Sequence, residues 1–284
     1  MKKLRSTKIQ SNLSITRLGK LFGVAKSTFY QSFKSKKNAD KLNQINALKD
    51  KAILMFKRHK RRIGYRELVR HLSDSGVKIT RYRAYQIMRE HGLKARSYKR
   101  KQATKPSVAP NNLLRREFTQ SAPNCVWAGD ITYLQAGGKT VYLAVIMDLY
   151  ARKIIAWQLK ESMDAALVCD LFKQAMYLRG FPSNLLFHSD RGSQYTSADF
   201  VQLLRYFGVK QSFSGVQACY DNAVVERFFR TLKTDADVFA QPCLYSLRLE
   251  IADFIDHYYN TIRFHSANNY LTPQKKELFF FAHA

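Results

Sequence analysis

Long apolar runs are missing from this 284-residue sequence: nowhere do about 18 consecutive apolar residues occur, the length that a membrane-spanning helix needs. The basic start MKKLR leads into polar STKIQSN rather than an apolar segment, so secretion and membrane insertion are not expected and a cytoplasmic location is. Cysteine is scarce as well. Cys125, Cys169, Cys219 and Cys243 stand 24 to 50 residues apart, without CxxC or a histidine pair at ligand spacing, which argues against a disulfide framework and a structural zinc. Acidic residues are lacking in one half only. Residues 1–122 carry 32 Lys and Arg against 6 Asp and Glu, whereas residues 123–284 carry 16 against 15. A half so basic repels itself unless it meets a polyanion, and the candidates are nucleic acid or an anionic membrane surface, of which the motifs below favour nucleic acid. What is plentiful is apolar surface: hydrophobic residues make up 46%, enough for a folded core and too many for a disordered chain.

The basic half reads as short helices. Ser14 can cap a helix carrying Ile15, Leu18, Leu21 and Phe22; Gly23 breaks it, and Ser27 caps a second with Phe29, Tyr30 and Phe33. That pattern fits a helix-turn-helix over residues 1–40 and an ordinary helical hairpin equally well. A clearer unit spans residues 41–95: a helix from Lys41 to about His59, a middle helix with the stripe Leu68, Val69 and Leu72, and a last one lined by Tyr85, Ile87 and Met88. Thr80 stands at the N-cap of the last helix and Gly92 at its stop. Arg62, Arg66, Arg81, Arg83, Lys94 and Arg96 surround these helices as phosphate contacts would. Residues 96–122 then read as a basic linker, and Lys99, Arg100 and Lys101 in it can track a phosphate backbone.

The pattern changes to strands at Pro123. Val126–Leu134, Thr140–Asp148 and Lys153–Leu159 read as hairpin-linked strands, with AGGK as the first turn. A helix from about Met163 to Arg179 follows, then a strand at Leu185–His188, a helix from Ser197 to Phe207, a strand at Val209–Phe213 and a helix opened by Asp221 or Asn222. Three hairpin strands followed by crossover units predict an α/β domain over residues 123–240, a mixed sheet with helices on both faces, and a helical extension over 241–284 packing on it.

Three acids occupy unusual places in that layout. Asp130 interrupts an otherwise apolar strand, where a carboxylate is costly without a cation or hydrogen bonds. Asp190 directly follows the fourth strand, at the end of the sheet where crossover folds place ligands. Glu226 lies on the late helix, whose Val225, Phe228, Phe229 and Leu232 face a core while Asn222, Glu226, Arg230 and Lys233 form a stripe about 100° away. Converging carboxylates suit hard cations such as Mg²⁺ or Mn²⁺, and two such ions can hold and activate a phosphodiester. Asp148 competes with Asp130 but ends a strand before Tyr150, where a turn role is natural; His188 and His265 are candidate site groups, against the commoner role of a lone histidine as a satisfied structural residue.

The segments GYRELVRHLSDSGVKITRYRAYQIMREHGLKA, NNLLRREFTQSAPNCVWAGDITYL, VYLAVIMDLYARKIIAWQL, HSDRGSQYTS, CYDNAVVERFFRTLK and YYNTIRFHSANNYLTP together resemble the DDE transposases of bacterial insertion sequences, specifically the downstream reading frame of the insertion sequence 3 family. The resemblance covers residues 60–275, and 35 residues separate Asp190 from Glu226, as in that family. It implies a ribonuclease H-like, retroviral-integrase-type core preceded by a small helical DNA-binding region. It also implies a catalytic and metal-holding triad of Asp130, Asp190 and Glu226, two Mg²⁺ or Mn²⁺ ions, and Lys233 as the family's basic residue seven positions after the Glu; Arg230 and Asn222, on the same helical stripe, are expected to contact DNA beside it. The implied activity is cleavage of one strand at an element end and transfer of its 3′-hydroxyl to target DNA. Double-stranded DNA, further copies of the chain on that DNA and the upstream reading-frame product are the implied partners. The zinc module of retroviral integrases is absent and no sustained heptad pattern occurs, so a downstream product acting with an upstream half is expected; a non-catalytic DNA-binding regulator or accessory subunit is the competing reading.

Overall fold

Between Val24 and Ile63 no glycine or proline interrupts the chain, and a single helix, α1 (Lys26–Arg58), runs through it. The helix expected to start at Lys41 thus begins fifteen residues earlier and crosses the expected junction at residue 40. The computed structural model describes residues 20, 23, 25–96, 112–215 and 219–283, in two compact units, residues 1–96 and 97–284. The helix capped by Ser14, the side chains of Phe29, Tyr30 and Phe33, and Lys99, Arg100 and Lys101 lie outside the described residues.

In the first unit α1 packs against α2 (Tyr65–Asp74) and α3 (Arg81–Glu90) through Ala52, Phe56, Ile63, Leu68, Leu72, Ala84, Ile87 and Met88. Thr80 caps α3 by accepting the Arg83 N–H at 3.2 Å, and Gly92 ends it at φ +61°. Tyr85 departs from its expected place: it is 47% exposed, because the inward stripe is Ala84, Ile87 and Met88, and Tyr85 turns outward against the Tyr65 ring at 5.9 Å.

The second unit is built on a five-stranded sheet in the order β3-β2-β1-β4-β5. β1 (Val126–Ala136), β2 (Lys139–Asp148) and β3 (Lys153–Lys160) are antiparallel, while β4 (Leu186–Ser189) and β5 (Lys210–Phe213) add in parallel beside β1. Gly137 and Gly138, both at positive φ, supply the tight β1–β2 turn. On one sheet face lie α4 (Ala165–Leu178), α5 (Ser193–Thr196) and α6 (Ala198–Tyr206), which bury Phe172, Phe187 and Phe200 with Trp127 and Ile146. On the other lies α7 (Ala223–Asp235), whose Val225, Phe228, Phe229 and Leu232 meet Ala128, Val145 and Met147. The mixed sheet covered on both faces is as expected.

The C-terminal segment is more than an extension. Leu247 and Ile251 of α8 (Leu244–Ala252), then Phe254, Ile255, Tyr258 and Tyr259 of a π-helical stretch, complete the same core as α7. Beyond it, Asn260 accepts the Ile154 N–H at 3.1 Å and donates to the Ile154 carbonyl at 2.9 Å, and Asn268 donates to the Ala151 carbonyl at 2.7 Å. Glu277 of α9 (Pro273–Phe281) pairs with Lys153 and Arg179. These contacts fasten the tail to the β2–β3 connection. Among the described residues no helix is long and apolar enough to cross a membrane.

Candidate active site

Side chains alternate along β1, and even-numbered positions turn toward α7: Val126, Ala128, Leu134 and Ala136 belong to that core. Asp130 and Thr132 continue the same face where the apolar cover ends. The parallel pairing aligns Ala128 with His188. That is the last pair; Asp130 lies two residues further along β1 and Asp190 two residues past His188, just beyond the end of β4, and the Asp190 charge bears on Asp130. Asp190 has just left β4 and is exposed, and its Oδ1 accepts the Gly192 N–H at 3.0 Å.

Two side-chain ties lay α7 along β1 on either side of Asp130. Asn222 donates its amide to the Gly129 carbonyl at 3.1 Å, and Lys233 donates its ammonium to the Thr132 hydroxyl at 2.7 Å while lying 5.0 Å from the Tyr133 ring centroid. Glu226 sits between those ties in the first turn of α7, half-buried, with Arg230 one turn on.

Electrostatics register the convergence. Asp130 is pushed up to about 8, by burial first, then by the Asp190 charge and, less, the Glu226 charge; the Ile131 N–H and Lys233 pull the other way. Burial also raises Glu226, which Arg230 opposes, and lowers Lys233, which Asp130 opposes. The Tyr195 hydroxyl is buried without a hydrogen-bond partner and is raised well above its ordinary value by burial and by Asp130 and Asp190. Mutually repelling carboxylates mark a place short of positive charge, and an all-oxygen ligand set suits a hard divalent cation. As the side chains stand, no three His, Cys, Asp or Glu among the described residues are drawn together tightly enough to hold a metal ion.

The expected DNA-facing residues separate. Asn222 is only 5% exposed and is spent on Gly129, so it anchors α7 instead of lining an open surface; its helical phase was legible and its burial was not. Lys233 is half-buried on Thr132, and Arg230 stays beside Glu226. In the first unit Arg66, Arg81 and Lys94 are exposed and Arg96 is half-buried. Arg83 is half-buried too, bonded to Gln86 at 3.1 Å and 3.7 Å from Glu90. Arg62 is corrected: at 7% exposure it lies within its unit, next to the buried Ile63.

Asp148 has the turn role expected of it, accepting the Asn124 and Tyr150 N–H groups at 2.8 and 2.9 Å. His188 is a satisfied core residue. Ser212 Oγ already accepts the Leu113 and Leu114 N–H groups, so it directs its own hydrogen to His188 Nδ1 at 2.9 Å, and His188 Nε2 then donates to the Ser214 hydroxyl at 3.2 Å. Burial holds His188 down at about 4. One support had no signal in the sequence beyond adjacency to Asn222. Asp221, buried, accepts from Arg116 at 2.6 Å, from Asn112 at 2.8 Å and from the Gly215 N–H at 2.8 Å. It thereby pins both the chain entering the core and the approach to α7.

The chain matches two family models described as integrase core domain, over residues 120–219 and 207–273, and one described as an HTH-like domain, over residues 44–102. It is 32% identical to the transposase InsF for insertion sequence IS3A of Escherichia coli K12, over 98% of both chains. It is 35% identical to the transposase for insertion sequence element IS904 of Lactococcus lactis, over 81% of this chain and 93% of that one. Among solved structures it is similar to a chain of the simian T-cell lymphotropic virus intasome, at 16% identity and a TM-score of 0.46 over 80% of this chain and 74% of that one. It is also similar to the HTLV-2 integrase catalytic core domain in complex with magnesium, at 18% identity and a TM-score of 0.41 over 55% of this chain and 98% of that one.

Proposed function

The chain belongs to the insertion sequence 3 family of transposases, and from that premise we propose that Asp130, Asp190 and Glu226 are its catalytic carboxylates. Its activity is that of a DNA-cleaving polynucleotidyl transferase acting in transposition and integration. The observation that carries the assignment is the position of Asp130, just beyond the paired ends of β1 and β4, under the charges of Asp190 and Glu226 and bracketed by the two ties that hold the helix of Glu226 alongside.

Cleavage displaces the 3′ oxygen of a phosphodiester by water; strand transfer uses the freed 3′-hydroxyl as nucleophile and exchanges one phosphodiester for another. Both reactions build negative charge on phosphoryl oxygens in front of three acids, which is prohibitive unless cations intervene. Asp130, Asp190 and Glu226 would hold Mg²⁺ or Mn²⁺, two ions in the fullest form, which supply Lewis acidity toward the phosphoryl and leaving oxygens. The protein's own residues do the remaining work. Burial of Asp130 sharpens the demand for a cation, the Asn222 and Lys233 ties hold the helix bearing Glu226, and Lys233 and Arg230 set positive charge along the edge where a phosphate backbone would lie. The basic first unit, with exposed Arg66, Arg81 and Lys94, supplies affinity for duplex DNA. Joining requires two element ends together, so the working unit on DNA is proposed to be a homo-oligomer.

The test is a divalent-metal-dependent nicking and joining assay on a labelled element-end duplex. Asp130→Asn, Asp190→Asn and Glu226→Gln should each abolish product while duplex affinity stays within about threefold. Wild-type nicking by Asp190→Asn would refute the triad.

A further inference from the structure

Phenylalanine would fill the place of Tyr195 as well as tyrosine does. The ring packs in the apolar layer between the sheet and α6, 6.0 Å from the Phe187 ring and edge-to-face with Phe200 at 5.6 Å, and the residue is 2% exposed. Its hydroxyl is sealed from solvent and meets no hydrogen-bond partner. Such a group gives up its bonds to water on folding and recovers none, so it calls for a role that packing does not supply.

Two glycines fix where that hydroxyl lies. Tyr195 is anchored on the turn that bears Asp190, its N–H donating to the Gly192 carbonyl at 3.0 Å. A Cβ at position 192 would stand 3.1 Å from Asp190 Oδ1 and 3.7 Å from Tyr195 Cδ2, so the carboxylate and the ring edge crowd the same side of Gly192. At the other end of the ring, a Cβ at position 129 would stand 3.3 Å from the hydroxyl oxygen. The tyrosine therefore spans from the Asp190 turn to the residue next to Asp130. β1 pairs with β4 at Val126, Trp127 and Ala128 and not beyond, so its edge at Gly129 and Asp130 has no strand across it on that side. A hydroxyl under that edge and a carboxylate over it can meet around it. The acceptors are there: Asp130 Oδ1 takes the Ile131 N–H at 2.8 Å and Asp190 Oδ1 the Gly192 N–H at 3.0 Å, while the Oδ2 of each accepts from no described residue. Burial, then the charges of Asp130 and Asp190, keep the proton on the phenol, so it remains a donor.

We propose that Tyr195 is a positioning residue of the candidate active site: its hydroxyl donates to the free oxygen of the Asp130 carboxylate and fixes the orientation in which that carboxylate holds a divalent cation. The inference rests on the proposed triad. Asp130 is the acceptor rather than Asp190 because the hydroxyl end lies at Gly129 and only the ring edge lies at the Asp190 turn, and because Asp190 is exposed and can be hydrated. An ionised carboxylate offers about four acceptor sites, so bonds from Ile131 and Tyr195 leave room for the cation while stopping rotation of the group. Hydrogen bonds of this kind to ligating carboxylates tune how tightly a metal is held.

The experiment compares the full chain with Tyr195→Phe and Asp190→Asn by thermal melts without metal, by Mn²⁺ titration followed through the paramagnetic resonance of the free ion, and by nicking of a labelled duplex. Tyr195→Phe removes a donor that the metal-free protein leaves unpaired, so without metal it should melt at or above the wild-type temperature. Its Mn²⁺ affinity should fall about tenfold, the lower end of what loss of such an outer partner costs. Nicking should lose kcat with KM for the duplex unchanged. Wild-type Mn²⁺ affinity in Tyr195→Phe would overturn the inference, and so would a lower melting temperature without metal, which would give the hydroxyl a structural bond. The triad is judged separately by Asp190→Asn. Mn²⁺ binding lost there but intact in Tyr195→Phe overturns the role of Tyr195 alone, whereas a wild type that takes up no Mn²⁺, or an Asp190→Asn protein that binds it like wild type, refutes the triad and the inference with it.

Discussion

Gly129→Ala adds one methyl at a crowded point of the sheet, and its consequence follows from distances. The odd-numbered face of β1 looks onto α5 and α6, and a Cβ at position 129 would lie 2.6 Å from Phe187 Cζ and 3.3 Å from the Tyr195 hydroxyl. Ordinary contact needs roughly another ångström from Phe187. That ring is fully buried and wedged against Phe172 at 5.4 Å and Phe200 at 5.3 Å between centroids, so the backbone of β1 gives way instead. Overpacking of this kind costs about 1–3 kcal/mol, or roughly 2–12 °C of melting temperature for a domain of this size. The displacement falls on the residue before Asp130 and on the carbonyl that holds Asn222, so nicking should fall more than duplex binding does. Thermal melts with nicking assays on Gly129→Ala, Phe187→Leu and the double variant provide the measurement. Leucine shortens the obstructing side chain, so the double variant should be more stable than the two single effects sum to, by about 0.5–3 kcal/mol. A Gly129→Ala protein that melts within 1 °C of wild type, or a strictly additive double variant, would refute the packing argument.

Three further outcomes follow from the site. Asp130 rises on folding to about 8, so the folded protein holds a proton that the unfolded chain has released; without divalent metal, stability should fall between about pH 4 and pH 8, by at most ~1.4 kcal/mol per pH unit. Asp130→Asn should flatten that slope in melts across pH, and an unchanged slope would contradict the crowding of the carboxylates. Lys233→Ala loses the Thr132 bond and should cost about 1 kcal/mol in melts, a little more than a surface truncation, whereas Arg230→Ala should leave stability nearly unaltered; core-like loss in Lys233→Ala would contradict its place at the cleft edge. Burial opposes ionisation of Asp221, but the Gly215 N–H, Arg116 and Asn112 hold its carboxyl below the ordinary range, so its contribution is present above that range and is lost as acid protonates it. Asp221→Asn should therefore destabilise the neutral-pH protein by roughly 2–4 kcal/mol and depress nicking through a loosened start of α7, as read by denaturant unfolding.

Much of this molecule is local in origin and could be read from the chain. Alternation through Val126–Leu134 with one carboxylate out of pattern marked β1 and Asp130. The i, i+3, i+4, i+7 spacing from Val225 to Leu232 fixed which side of α7 is buried, and the Thr80, Asp164 and Ser197 caps mark helix starts by chemistry confined to three residues. The split of charge at residue 122 needed only counting. Other features depend on partners far apart in sequence, for which periodicity carries no information. Asn222 and Gly129 are 93 residues apart, Arg116 and Asp221 105, and Asn260 and Ile154 106. Whether a polar side chain in the right helical phase meets solvent or a distant carbonyl depends on how the sheet and helix are laid together, so Asn222 and Arg62 turned inward against expectation. The same holds for Arg152: as one basic residue among 48 it is unremarkable, and only the tertiary structure leaves it half-buried with its Nη1 unpaired.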